Sequence, residues 1–296
     1  VTSDITLFVN PTAGRGRGAR AAQPAARVLR EAGFHVRTVI GADADDALSR
    51  AREAVSGGTG ALVAVGGDGM TSLALQAVAG TGTPLGVVAV GTGNDFALAT
   101  GLPVRDPAAA ARTIAASLTT DGGRPVDIGR AGDTYFGTVL ASGFDSRVND
   151  RGNRMRWPSG RFKYDLAMLA ELAGLRPITY RMRLDDGADE EIQATLIAVG
   201  NGSSYGGGMR ICGQARLDDG LFDVTVVGPC TRATLLRVFP RVYRGTHFSH
   251  PAVTTHRVAK ISLAAHGLTG YADGEPLGAL PLTAVTVPGA VRLLGA

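Results

Sequence analysis

At 296 residues with 45% hydrophobic content, the chain is long enough to bury a sizeable core and divides more naturally into two domains than one. Its 42 glycines follow no fixed period, which excludes collagen-like and low-complexity chains. The formal charge of +4 is carried almost wholly by arginine, with Lys163 and Lys260 the only lysines. That sign suits an anionic membrane surface, a nucleotide or a nucleic acid alike. No arginine run interleaved with aromatics marks a nucleic-acid face, so nucleic acid is not expected as a partner. Cys212 and Cys230 are the only cysteines and form neither a CxxC pair nor a disulfide framework, as expected of a protein in a reducing cytoplasm. No apolar run approaches the roughly 20 residues of a transmembrane helix, and no signal-peptide pattern opens the sequence.

From residue 5 to 118, short apolar runs alternate with helical stretches, the rhythm of a parallel sheet covered by helices. The first strand spans 5–9 and ends in Asn10-Pro11-Thr12-Ala13-Gly14. A helix follows to about residue 32, where Gly33 stops it. A second strand covers 35–40 and a helix 43–55. Residues 61–65, Ala-Leu-Val-Ala-Val, lack polar alternation, as a strand buried on both faces does. They run into Gly66-Gly67-Asp68-Gly69, and a helix continues to Ala79. A further strand, 85–90, ends in Gly91-Thr92-Gly93-Asn94-Asp95. Three glycine loops thus sit at the carboxyl ends of predicted strands, where open α/β sheets bind ligands.

After about Pro125 the pattern changes to strands joined by turns: 126–130, 135–141, 192–199, 222–227 and 260–264, interrupted by helices near 163–172 and 232–243. This gives an α/β nucleotide-binding domain over 1–125 and a mainly antiparallel β domain over 126–284, with the active cleft between them. The last strand, near 285–296, is free to return to the first domain.

A polyphosphate needs many donors close to its oxygens, and glycine lets the backbone approach. Three such loops on one sheet edge, each followed by a helix N-terminus, meet that need. There is no GxxxxGK[ST] loop, and Gly14-Arg15-Gly16-Arg17-Gly18 lacks dinucleotide spacing. Asp68 and Asp95 are the informative carboxylates. Beside a phosphate, a carboxylate implies Mg²⁺ or contact with a hydroxyl proton; the same positions would equally suit simple caps of the following helices.

Gly66 to Gly69 (GGDG) followed by Gly91 to Ala97 (GTGNDFA) resembles the diacylglycerol kinase catalytic domain family, which takes in soluble bacterial diacylglycerol kinases and the sphingosine and ceramide kinases. Asn10 to Gly14 is similar to its first nucleotide loop, Ala215 to Asp223 (ARLDDGLFD) to its metal segment, and Ala272-Asp273-Gly274-Glu275 to its late DGE element. The resemblance runs in order through essentially the whole chain. It implies an NAD kinase-like N-terminal domain and a cleft holding ATP, lined by Asn10, Gly14, Gly67, Asp68, Gly69 and Thr92. It further implies Glu275 as general base on a lipid hydroxyl, with Asp68 beside the transferring phosphate and a catalytic Mg²⁺. A structural Mg²⁺ is implied at Asp219 with the backbone carbonyls of Arg216 and Leu221, linked through water to Asp95 and Asp127. Met70 stands where the family usually has threonine, and Leu73 where glutamate is common.

The activity so implied is phosphorylation of diacylglycerol to phosphatidic acid by a cytoplasmic protein that contacts the membrane peripherally; a homodimer is one allowed assembly. Alternatives are another lipid such as a sphingoid base, NAD kinase activity, or a non-catalytic nucleotide- or lipid-binding protein. GTGNDFA and the late DGE favour the lipid branch, and the presence of both Asp68 and Glu275 argues against lost catalysis. Arg154, Arg156, Trp157, Arg161 and Lys163 precede an apolar stretch at 166–172 that suits an anionic membrane or ordinary packing. His247 and His250 read as surface or packing residues rather than a zinc site. The run Gly200 to Gly208 is expected to shape the substrate side of the cleft, with no nucleophile elbow around Ser203.

Overall fold

A computed structural model describes residues 3–10, 13–155, 157 and 161–296. Four parallel strands, β1 (Asp4–Val9), β2 (His35–Val39), β3 (Ala61–Gly66) and β4 (Leu85–Ala89), run in the order β2-β1-β3-β4. All six residues of β3 are buried, because both faces of the sheet are covered. Ala61, Val63 and Val65 pack towards α1 (Ala13–Glu31), where Ala25 and Leu29 lie, and α5 (Pro107–Thr120), which offers Ala111 and Ile114. Leu62 and Ala64 face α2 (Ala44–Ser56) and α3 (Asp68–Val78) through Ala51, Ala74 and Leu75. Thr6 breaks the apolar pattern of β1, and its hydroxyl is satisfied by Thr59 at 3.0 Å. A short helix, α4 (Asp95–Thr100), follows β4.

The same sheet continues through the second half of the chain. Beyond β4 it adds β16 (Leu282–Leu293), β13 (Lys260–Ala264), β8 (Ile178–Leu184) and β9 (Glu190–Ala194), while β5 (Arg124–Ala131) pairs with β16 and with β6 (Thr134–Phe136). The end of β16 lies beside β4, with Leu294 N–H donating to the Leu85 carbonyl at 2.8 Å.

A second, antiparallel sheet runs β12 (Val253–Val258), β11 (Phe222–Val227), β10 (Leu196–Gly200), β7 (Val139–Gly143), β14 (Thr269–Ala272) and β15 (Glu275–Ala279). Its inner face packs on the first sheet around Tyr180, Ile197, Ile261 and a stacked Phe136–Phe222 pair at 5.8 Å. Its outer face carries α8 (Arg232–Arg244). Two further helices, α6 (Phe144–Arg154) and α7 (Arg161–Ala173), lie between β7 and β8. The fold is therefore an α/β domain joined to an antiparallel β domain, as the alternating and then strand-rich rhythm suggests.

Two runs expected as single strands are each two. Residues 135–141 divide at Gly137 and Thr138 into β6 and β7, and 192–199 divide at Thr195 into β9 and β10, which belong to different sheets. Both breaks leave backbone donors that are satisfied by partners remote in sequence. Thr195 N–H donates to Val227 O at 2.7 Å, and its hydroxyl to Gly228 O at 2.9 Å. Gly137 and Thr138 donate into the site described next.

Candidate active site

Adjacent strands β1, β3 and β4 bring their carboxyl ends to one edge, so the loops at Asn10, Gly67 and Gly91 are neighbours. The last two touch backbone to backbone: a Cβ on Gly91 would lie 2.5 Å from Gly67 Cα, so no larger residue fits. Asn94, in the left-handed region at φ 60°, closes this loop on itself. Its Oδ1 accepts from Gly91 N–H at 2.8 Å and its Nδ2 donates to Gly91 O at 3.2 Å.

Asp68, in the first turn of α3, does not cap its own helix. Its Oδ2 accepts from Asn94 N–H at 2.8 Å and its Oδ1 from Asp95 N–H at 2.6 Å, so it caps the helix that follows the neighbouring loop. Asp95 in turn accepts from Gly207 N–H at 2.8 Å. A Cβ on Gly93 would sit 2.6 Å from Asp68 Oδ2 and 3.4 Å from Asp95 Oδ2; the two carboxylates converge over that glycine. Burial, and secondarily the charge of Asp68, pushes the Asp95 carboxyl above its ordinary range. A divalent cation between the two would relieve that repulsion, so these residues fit the implied catalytic Mg²⁺.

The opposite wall is the β14–β15 turn. Asp273, at φ 52°, accepts from Gly137 N–H at 2.7 Å, Thr138 N–H at 2.9 Å and the Thr138 hydroxyl at 2.5 Å. The break between β6 and β7 thus supplies the donors that hold this turn. Burial raises the Asp273 carboxyl, against the lowering effect of those hydrogen bonds. Glu275 opens β15, with Oε1 3.9 Å from the point a Cβ on Gly69 would occupy. Burial raises its carboxyl too, which brings a carboxylate closer to the affinity a general base needs. Asp68 faces a crevice also lined by Thr71, Asp95, Thr138 and Asp273, and Glu275, far away in sequence, reaches the glycine next to Asp68.

Met70 is 5% exposed and packs in the core beside Leu75, with Leu73 against the same cluster. The residue at 70 therefore faces away from the crevice, and Thr71 lines it. Asn10 N–H donates to Val65 O at 3.3 Å, Gly14 lies in the first turn of α1, and the Thr92 carbonyl accepts from Arg105 Nη2 at 3.1 Å. Pro11 and Thr12 of the first loop lie outside the described residues. Arg105 and the positioning residues Asn94 and Asp273 were not singled out from sequence. Nor was Gln76, which clamps α3 to Tyr135 through 2.7 and 2.8 Å bonds to its backbone. Asn94 and Asp273 lie inside the two motifs already noted; nothing in the sequence marks Arg105 or Gln76.

The metal segment is built differently. Asp127 accepts from Gly220 N–H at 2.6 Å and Gly289 N–H at 2.8 Å. Arg216 pairs with Asp218 at 3.0 Å. Asp219 accepts from Leu221 N–H at 3.0 Å and pairs with Arg257, which also reaches Asp223 at 3.3 Å. Asp95 faces Asp68 and Gly207 instead. With a guanidinium already on Asp219, the donor set as it stands does not fit the implied structural Mg²⁺.

Beneath α8 lies an apolar cavity lined by residues including Phe144, Leu196, Met209, Val238 and Val253. Tyr205 and Met209 also line it and pair with each other across the three-glycine tip that touches Asp95. Asp145 lies on its wall with a sealed Oδ2 that has no hydrogen-bond partner, and burial pushes its carboxyl up to about 7. His247 is buried, hydrogen-bonded to Ile211 O at 3.2 Å and packed on Phe248. Among the described residues no group of three or more His, Cys, Asp or Glu is arranged to hold a metal. No described helix is long and apolar enough to cross a membrane. Trp157 is 83% exposed and Leu169 61%; Arg154 is exposed as well, while Arg156 and the side chains of Arg161 and Lys163 lie outside the described residues.

Comparison with known proteins agrees with this arrangement. Residues 4–131 match the diacylglycerol kinase catalytic domain, and 138–295 the YegS C-terminal NAD kinase beta sandwich-like domain. A diacylglycerol kinase of Mycobacterium tuberculosis (strain H37Rv) is 43% identical over 98% of this chain and 94% of its own length. A "Probable lipid kinase YegS-like" of Pseudomonas aeruginosa (strain PAO1) is 31% identical over 95% of this chain and 91% of its own. The crystal structure of a diacylglycerol kinase from Bacillus anthracis shares the fold with a TM-score of 0.72 at 19% identity, covering 99% of this chain and 96% of that one.

Proposed function

As a member of the diacylglycerol kinase catalytic-domain family, this chain is a lipid kinase, and we propose that it moves the γ-phosphate of ATP onto the free hydroxyl of diacylglycerol, giving phosphatidic acid and ADP. The observation that carries the reading is the approach of Glu275 to Gly69 at the start of the α3 helix. In the proposed step a Glu275 carboxylate oxygen takes the hydroxyl proton. The hydroxyl oxygen bonds to the γ-phosphorus, and the bond from that phosphorus to the β,γ-bridging oxygen breaks, its electron pair leaving with ADP. Asn10, Gly14, Gly67, Gly69 and Thr92 frame the polyphosphate. Asp68 holds the Asn94–Asp95 turn in place, and with Asp95 it would hold Mg²⁺, which would supply neutralisation of phosphate charge. Asp273 is a positioning residue that anchors the turn carrying Glu275.

The apolar cavity beneath α8, whose Tyr205 and Met209 flank the glycine tip that touches Asp95, is the candidate wall for an acyl chain. Exposed Trp157, Leu169 and Leu236, near Arg154 on α6 and Arg232 and Arg237 on α8, support transient docking on an anionic bilayer. The test is transfer of radiolabelled phosphate from ATP with Mg²⁺ to a panel of diacylglycerol micelles, sphingoid-base micelles and NAD. Labelled phosphatidic acid is expected. Labelled NADP, a labelled sphingoid base alone, or no product despite ATP binding would each overturn the diacylglycerol assignment.

A further inference from the structure

The resemblance implies an ion at Asp219, yet the structure puts a side chain there. Arg257 lies on β12 directly opposite Asp223 on β11. Its guanidinium bridges the Asp219 and Asp223 carboxylates, pairing with Asp219 Oδ2 and lying 3.3 Å from Asp223 Oδ1. Asp223 is only 8% exposed, so a cation beside it offsets a desolvation cost. A planar guanidinium serves two carboxylates at once, a geometry a lysine ammonium does not reproduce.

The rest of the segment is held by protein groups. Leu217 O accepts from Asp127 N–H at 2.7 Å, Gly220 N–H donates to Asp127 at 2.6 Å, and Gly220 O accepts from the Thr286 hydroxyl at 2.7 Å. Asp219 Oδ1 is engaged with Leu221 N–H at 3.0 Å. A loop that needed an ion to gather its carboxylates would not also present an arginine between them.

We propose that Arg257 takes the place of a structural divalent cation in this chain, so that the 216–223 segment is held without metal and Mg²⁺ acts only with the nucleotide. The inference stands whichever lipid is phosphorylated. The experiment is thermal melting of the full chain without nucleotide, in EDTA and across a MgCl₂ titration, for the wild type, Arg257→Gln, Arg257→Lys and Asp219→Asn. Wild type is expected to melt at the same temperature throughout. Arg257→Gln should melt about 2–4 °C lower in EDTA and recover as Mg²⁺ fills the vacated place. Arg257→Lys, which keeps the charge and is the milder change should the glutamine variant not fold, should melt between the two.

A wild-type melting temperature that climbs with Mg²⁺, in a manner Asp219→Asn abolishes, would overturn the proposal. So would an Arg257→Gln protein that melts with the wild type. Mn²⁺ binding read by electron paramagnetic resonance gives an independent arm. Wild-type signal lost in Asp219→Asn argues for a resident ion, whereas signal gained only in Arg257→Gln argues for the arginine.

Discussion

Two acidic regions of this protein are composed of the same residue type and behave oppositely. Around Gly93, Asp68 and Asp95 face each other, and burial, with the charge of Asp68, holds Asp95 above the ordinary carboxylate range. Around Gly220, each carboxylate is matched to a neighbour: Asp127 to two backbone N–H groups, Asp218 to Arg216, Asp219 and Asp223 to Arg257. Among the described residues no side-chain cation pairs with Asp68 or Asp95, whereas Arg216 and Arg257 supply the second region with positive charge from within the fold. Carboxylates left without a cation mark chemistry more sharply than their number does.

Replacing Glu275 with Gln should break the first region most severely. Transfer to lipid should fall by about 10²–10⁴-fold in kcat, the range for losing a general base, while ATP affinity measured by calorimetry stays near the wild-type value. A smaller loss is expected from Gly93→Ala, whose Cβ would intrude 2.6 Å from Asp68 Oδ2. Displacing Asp68 should cost on the order of 10²-fold in kcat/KM, with the circular dichroism spectrum unchanged. If Gly93→Ala kept full activity, the convergence of the two carboxylates over that glycine would have no catalytic meaning.

The balanced region should answer in stability rather than rate. Asp127→Ala leaves two backbone donors without their acceptor, and denaturant unfolding should show a loss of about 1.5–3 kcal/mol. Asp145 offers a third, graded contrast, because its Oδ2 is sealed from solvent with no hydrogen-bond partner among the described residues. Its carboxyl is raised to about 7, so the folded state binds the proton more tightly than the unfolded chain. Its contribution to stability is therefore full below the ordinary aspartate range and declines as pH rises towards about 7, by at most ~1.4 kcal/mol per unit. Asp145→Asn should flatten that slope in urea unfolding series between those limits; an unchanged slope would show that Asp145 is solvated.

How much of this could be read from the chain depends on the distance over which each contact acts. The parallel half was legible because buried runs such as Ala61 to Val65 and the glycines after them are local signals. GGDG and DGE were legible as motifs, but their meeting at Gly69 and Glu275 is made by the fold. The breaks at Gly137 and Thr195 were invisible because each interrupts an apolar run without changing its composition. What ends those strands is a remote partner, Asp273 for one and the β11 end at Val227 and Gly228 for the other. Arg257 could not be paired with Asp219 from sequence, since nothing in the run around it specifies that β12 lies beside β11.

The placement of β16 carries a consequence for how the protein is made. The strand that shields the open side of β4 is translated only after the whole antiparallel half, and Leu293 and Leu294 close against Leu85 from the far end of the chain. A nascent chain that has emerged as far as β5 therefore holds a parallel sheet with one flank uncovered, and its completion waits on a contact of very long sequence separation. Expression of 1–131 alone should give an aggregation-prone fragment, and supplying the remainder as a separate chain should rescue it only if the two are present together while they fold.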